Sequence, residues 1–381
     1  MARRICVVVL SRANYGRCRS IIQAAQNDPE VELQLVVGAS AIDHLHGNVA
    51  DVIRAEGFPV AASVDFLLSS SSPLGMATTT GLGIVKLASC FDVLRPDVVV
   101  TIADRYETMA TAIAASYQNI CLAHVQGGEI TGSIDESVRH AITKLAHVHF
   151  PATKMAARNV VAMGEDRRNV HLVGCPAMDQ LFETKSEPLD ISNLTGVGFE
   201  INGRAPYYLV IYHPVTSEYG ESDPGLEELI TTITELNVQT VWLWPNADAG
   251  SDSISKRLRI WREQHKPKVR FIKNLPVEEY NKLLDGASCA VGNSSSFIRE
   301  ASILATPAVL IGSRQNEREL AANAIRRDDY PTHSLKDLIN KQAQSKPDRS
   351  SLYGDGMAGK KIIDVLKGKL PSTQKLLTFE G

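Results

Sequence analysis

The apolar positions of this chain fall into short runs separated by stretches of helical period. In the first half RICVVVL (4–10), VELQLVV (31–37), DVVVTIA (97–103) and NICLAHV (119–125) read as strands. They are apolar almost throughout instead of alternating, as parallel strands covered on both faces are. Helices are predicted between them, over 16–27, 79–94, 106–117 and 135–147. The pattern lapses over ETKSEPLDISNLTGVGFEINGRAP (183–206), a polar stretch with glycine and proline that predicts a linker. It restarts with YYLVIYH (207–213), VQTVWLW (238–244), VRFI (269–272), CAVG (289–292) and PAVLIG (307–312).

Two successive sets of alternating strand and helix predict an α/β protein of two Rossmann-like, doubly wound domains, 1–182 and 207–381, facing a cleft. The 381 residues suit two domains of about 150–200 each. Ligands of such folds sit beyond the C-terminal ends of the strands, so the residues following each strand are the candidate site.

Composition narrows the function classes. The apolar share of 44% and charged share of 22% are those of an ordinary globular protein. A net charge of −3 argues against a dedicated nucleic-acid surface while leaving room for a local basic pocket. The six cysteines, Cys6, Cys18, Cys90, Cys121, Cys175 and Cys289, are scattered singly with no CxxC pair. Together with an N-terminus that runs straight into a strand pattern, they predict a reduced, cytoplasmic protein. No apolar run approaches the roughly 18 residues of a membrane span. HExxH and Cys/His metal spacings are absent, as is a GxSxG elbow, so neither a metal nor serine-hydrolase chemistry is expected.

Several strand ends are chemically unusual. After the first comes SRANYGR (11–17), where Arg12 can reach an anion, although a generic turn fits as well. After DVVVTIA, Asp104 and Arg105 stand where a helix begins. Asp104 is either that helix's cap, which the tripeptide alone favours, or a base beside a phosphate-binding guanidinium. HVQGGEITGSIDESVRH (124–140) concentrates titratable groups. Ser133 and Glu136 form a capping box, with Asp135 in the first turn four residues before Arg139. The twin glycines after Gln126 permit close backbone approach to a ligand, and His124 ends a buried strand. In the second half His213 ends a strand before Pro214. GNSSSFIRE (292–300) opens a helix with serines, an arrangement suited to anions, and places Glu300 two turns in, where it can accept ribose hydroxyls. WPNADAG (244–250), with Asn246, and SRQNERE (313–319), with Arg314, line the same region.

Taken together, SRANYG, ADRYE, HVQGGEITGSIDESVRHAITKLAH, YHPVT and GNSSSFIREA…TPAVLIGSRQNERE resemble the hydrolysing UDP-N-acetylglucosamine 2-epimerases. These are the bacterial enzymes that start sialic-acid synthesis and the epimerase half of the bifunctional animal epimerase/kinase. The resemblance runs from about residue 4 to about 325. It implies a glycosyltransferase-B-like fold, a UDP-sugar substrate, no cofactor and a homo-oligomer. It also implies a reaction in which the carbon-2 proton and UDP leave to give a glycal, which water then hydrates with inversion at carbon 2. By the family's motifs Asp104 and Asp135 fall on catalytic carboxylates and His213 on a diphosphate contact or acid. Arg12, Arg105, Ser294, Ser295, Glu300 and Arg314 fall on nucleotide-sugar contacts, and His124, Gln126 and Asn246 stand beside them. Two departures matter. Some relatives, including the animal enzyme, carry glutamate in HxEGGE where this chain has Gln126, an amide that cannot act as a base, so either that role is not universal or Glu129 assumes it. Many relatives have an acidic residue where this chain has Asn14. A close variant of the activity, on UDP- or GDP-linked N,N′-diacetylbacillosamine, fits the same motifs, and a glycosyltransferase shares the fold.

Overall fold

The computed structural model describes residues 2–44, 48–68, 73–130, 134–183, 189–214, 223–245, 251–273 and 275–378. The chain forms two compact units, Met1–Glu183 with Tyr353–Gly381, and Thr184–Leu352.

In the first unit six strands, β1 (Arg3–Val9), β2 (Val31–Gly38), β3 (Val60–Val64), β4 (Val98–Ile102), β5 (Cys121–Val125) and β6 (Val148–Phe150), form a sheet in the order β3-β2-β1-β4-β5-β6. All its pairings are parallel. The helices between them are α1 (Arg12–Asn27), α2 (Val49–Ala55), α3 (Pro73–Leu94), α4 (Tyr106–Tyr117) and α5 (Ile134–Leu145), followed by α6 (Lys154–Ala162) and α7 (Asp179–Glu183). Along β1, Ile5, Val7 and Val9 enter one core with Ile21 and Ile22 of α1. Cys6 and Val8 enter the opposite one with Leu87 and Phe91 of α3. Burial on both faces is why these strands read as unbroken apolar runs, and each fully buried aliphatic side chain contributes ~1.5–3 kcal/mol.

The second unit repeats the plan. Its strands are β7 (Val197–Gly198), β8 (Tyr208–Ile211), β9 (Thr240–Leu243), β10 (Val269–Ile272), β11 (Cys289–Gly292), β12 (Ala308–Leu310) and β13 (Ala324–Arg326), in the order β13-β12-β11-β8-β9-β10-β7. Among the described strands only β7 runs antiparallel, against β10. Helices α8 (Pro224–Leu236), α9 (Ser251–His265), α10 (Val277–Asp285), α11 (Glu300–Leu304) and α12 (Leu335–Ala343) complete it. Its core centres on Trp242, which meets Trp261 edge-on at 5.6 Å and Phe271 at 6.1 Å.

Three expectations need correction. Residues 183–206 are not simply a linker, because Val197–Gly198 pairs with Phe271 and Arg270 and so extends the second sheet. The second domain does not run to residue 381. The chain returns to the first unit as α13 (Ala358–Leu366), whose Ala358 and Gly359 N–H groups donate to the Asp179 carboxylate (3.0 and 2.7 Å). A Cβ on Gly359 would stand 2.5 Å from the Ser20 backbone, so glycine allows α13 to lie close on α1. Finally, one described helix, Leu74–Leu94, is long and apolar enough to cross a membrane by length and composition, against the expectation that no run approaches that length. One side of it packs on α4, with Gly83 fitted against Ala110. Leu74, Val85 and Val93 on other positions are exposed. The serine run 69–72 lies outside the described residues.

Candidate active site

In each sheet the strand order reverses at one point, between β1 and β4 in the first and between β8 and β11 in the second. Loops diverge there, and the gap beyond the strand ends is where open α/β sheets bind ligands. Arg12, Asp104 and Arg105 follow β1 and β4; His213, Ser294 and Ser295 follow β8 and β11.

After β1 the helix starts earlier than its predicted residue 16. Ser11 caps α1, accepting from the Asn14 N–H (3.2 Å), and the buried Asn14 carboxamide accepts from the Leu10 N–H (3.4 Å). Asn14 thus closes the turn, leaving Arg12 exposed in the first turn of α1.

Asp104 does not cap α4. Ala103 takes a left-handed φ of 66° and Arg105 occupies the cap position, which turns the Asp104 side chain to Arg139. That arginine is 2% exposed and a buried guanidinium requires paired charge. It finds this in the Asp104 carboxylate, while the neutral Glu129 carbonyl accepts a further hydrogen bond from Nη1 at 2.5 Å. Arg139 therefore serves Asp104, on another element, where the helical spacing had matched it to Asp135. Arg105 is anchored by Glu107, itself buried, through contacts of 3.1–3.4 Å. Asp135 is exposed in the first turn of α5. Partial desolvation first, and the charge of Asp104 second, raise its carboxyl above the ordinary aspartate range, against Arg105 and Arg139.

The end of β5 and the stretch after it are built for packing. His124 is fully buried, with Nε2 2.9 Å from the Ala103 carbonyl and Nδ1 3.1 Å from Thr143 Oγ1. A carbonyl only accepts, so Nε2 carries the hydrogen and Nδ1 accepts from the threonine hydroxyl. Burial, partly offset by the bond to Ala103, lowers the His124 pKa to about 3 and keeps the ring neutral. Gln126 is likewise enclosed, its amide directed at the Cys175 sulfur. Neither is placed for the substrate contact expected of it. The twin glycines also serve the fold. Gly128 has φ +81°, and a Cβ there would lie 2.2 Å from the Ala156 carbonyl oxygen. A Cβ on Gly127 would meet Thr143 Oγ1 at 2.8 Å and His124 Nδ1 at 2.9 Å. Glu129 is half-buried at the end of this stretch. Ser133 of the expected capping box lies outside the described residues.

In the second unit the organiser is Asn293, a residue without any local signal in the sequence. Fully buried, it accepts from the His213 N–H (2.7 Å) and donates to the His213 carbonyl (2.8 Å), stitching together the two loops at the strand reversal. Its own carbonyl accepts from Gln315 (3.1 Å), which ties in the turn carrying Arg314. The serines open a short 3-10 turn (Ser295–Phe297) instead of the helix expected there, and Glu300 is the first residue of α11, not two turns in. A hydroxyl chain runs from Tyr280, another residue missed in the sequence, through Ser296 to Ser294 (2.8 Å between the serines). Asn246 lies outside the described residues.

Two doubly wound Rossmann-like domains with charged loops at both strand reversals define a protein of the glycosyltransferase-B-like fold. The family described as UDP-N-acetylglucosamine 2-epimerase matches residues 23–367, and the chain belongs to that family. It is 33% identical over 370 residues, 96% of each chain, to the UDP-N,N′-diacetylbacillosamine 2-epimerase (hydrolyzing) of Legionella pneumophila. To the UDP-N-acetylglucosamine 2-epimerase of Neisseria meningitidis it is 28% identical over 344 residues, 88% of this chain and 86% of the relative. The crystal structure of UDP-GlcNAc 2-epimerase from Neisseria meningitidis bound to UDP-GlcNAc superposes with a TM-score of 0.76 at 17% identity, covering 95% of this chain and 99% of that one.

Proposed function

We propose that this chain is a hydrolysing 2-epimerase of a UDP-linked 2-acetamido sugar, releasing UDP and the free 2-epimer. The observation that carries the reading is the carboxylate pair beyond β4. Asp104 is oriented by a buried arginine, and Asp135 beside it has a raised pKa. Two carboxyl groups in unequal environments divide into a base and a proton donor. Asp104 takes the proton from sugar carbon 2 as UDP departs from carbon 1. Asp135 then protonates carbon 2 as water adds at carbon 1, and the proton that water loses passes to the Asp135 carboxylate so formed. His213, Ser294, Ser295, Glu300 and Arg314 are assigned to the nucleotide, and Arg12 and Arg105 to the sugar diphosphate.

Between two candidate sugars, the higher identity to the Legionella relative supports N,N′-diacetylbacillosamine, and the Neisseria relative supports N-acetylglucosamine. We further assign the protein to a reducing, cytoplasmic setting, which the buried thiols of Cys6, Cys18, Cys121 and Cys289 support. We assign it a homo-oligomeric state, supported by the exposed Leu74, Val85 and Val93 of α3.

Incubation with each UDP-sugar in heavy water tests the reaction. UDP release without an acceptor, with deuterium at carbon 2 of the product, is expected. Release that depends on an added acceptor, or product lacking the label, would replace the elimination mechanism with a transferase.

A further inference from the structure

Helix α5 grips the turn that carries Asp104 at two points. Arg139 takes the carboxylate itself. One helical turn on, Thr143 reaches the backbone of the same turn through His124, its hydroxyl donating to Nδ1 and Nε2–H donating to the Ala103 carbonyl. We propose that Thr143 and His124 are positioning residues for the reaction, fixing the left-handed Ala103 turn and with it the attack geometry of Asp104. The inference rests on the catalytic reading of Asp104 given above.

Three observations support it. Both side chains are fully buried, so neither meets a substrate. Each polar atom in the chain has one role available: the carbonyl must accept, which leaves Nδ1 dependent on a donor, and Thr143 supplies it. Ala103 is held at φ 66°, in a region disfavoured for a residue with a Cβ, so its carbonyl needs an outside tether to keep its direction. Gly127 is the residue that leaves room for the junction, since its missing Cβ would otherwise stand against both partners.

The test separates donor geometry from bulk. In His124→Gln the amide nitrogen can occupy the place of Nε2 and still donate to Ala103; in His124→Asn it cannot. Thr143→Val removes the hydroxyl at constant shape, and Thr143→Ser restores it. Expected are a fall in kcat of about 10² for His124→Asn and roughly tenfold for Thr143→Val, as for a slightly misplaced base, with KM and UDP affinity unchanged. His124→Gln and Thr143→Ser should keep kcat within about threefold of the parent. In an Asp104→Asn background, His124→Asn should cause no further loss, because the group it positions is gone. An equal fold-loss in both backgrounds, or a loss confined to KM, overturns the proposal. If His124→Asn does not fold, the Thr143 pair decides by the same criteria. Near-full activity of Asp104→Asn alone would instead overturn the catalytic reading of Asp104, and is read before the others.

Discussion

The charge of Asp104 raises the pKa of Asp135, second only to the partial burial of Asp135 itself. The first sits beyond β4 and the second in the opening turn of α5, so the sheet order, not sequence proximity, couples them. Replacing Asp104 by Asn removes that charge, and the Asp135 carboxyl should then titrate at lower pH. Carbon-13 NMR of labelled aspartate would follow it. Turnover in the same variant should fall by about 10²–10⁴, as when a general base is lost, with UDP affinity by calorimetry nearly intact. An unmoved Asp135 titration would show that the two carboxylates do not interact.

Arg139 is the member whose loss should be felt in stability. Arg139→Met leaves Asp104 and the Glu129 carbonyl without the guanidinium that joins them. Because the arginine is enclosed and the aspartate mostly so, a loss of roughly 3 kcal/mol is expected in urea unfolding. Arg139→Lys offers one donor group where two separate atoms were used, and should recover only part of it.

Two glycines should respond oppositely to alanine. Gly128→Ala places a Cβ against the Ala156 carbonyl at a positive φ, and should destabilise by at least about 2 kcal/mol. Gly16 lies inside α1 with nothing within 4 Å of its Cβ position. Gly16→Ala should therefore stabilise by roughly 0.5–1 kcal/mol through helix propensity. Thermal unfolding of the pair checks both signs.

Acid should act through Glu165. Burial alone would raise its pKa, but hydrogen bonds from His149, Lys144 and Lys375 outweigh that and hold it at about 2, below its ordinary 4.5. A carboxyl whose folded pKa lies below its unfolded one stabilises above the unfolded value and loses that contribution as pH falls toward the folded one. The stability difference between parent and Glu165→Gln should thus be fully present above pH 4.5 and shrink steadily toward pH 2. A constant difference across that window would contradict the network.

Much of the fold was legible because two-sided burial writes itself into the sequence. VRFI, CAVG and the helix 106–117 were found where the pattern put them. The edge strand Val60–Val64 was missed because its residues alternate between buried or half-buried and exposed instead of forming an unbroken apolar run. The return of α13 was illegible for another reason: its contacts, with Asp179 and Ser20, lie far away along the chain. The candidate site divides in the same way. Carboxylates and serines at strand ends stand out by type and place, so Asp104, Asp135 and Ser294 were named. Thr143, Asn293 and Tyr280 carry no local signal, and only the folded chain shows what they hold. His124 and Gln126 were conspicuous by position and then proved to be interior groups. The i,i+4 match of Asp135 with Arg139 lost to a partner that tertiary structure brought closer.

Lys375, near the end of the polypeptide, donates to the Thr143, Lys144 and Ala146 carbonyls (3.2, 2.7 and 2.6 Å), finishing the last turn of the helix that bears Asp135 at its other end. Lys375→Met would therefore loosen that last turn, and with it the helix presenting Asp135, without touching either carboxylate.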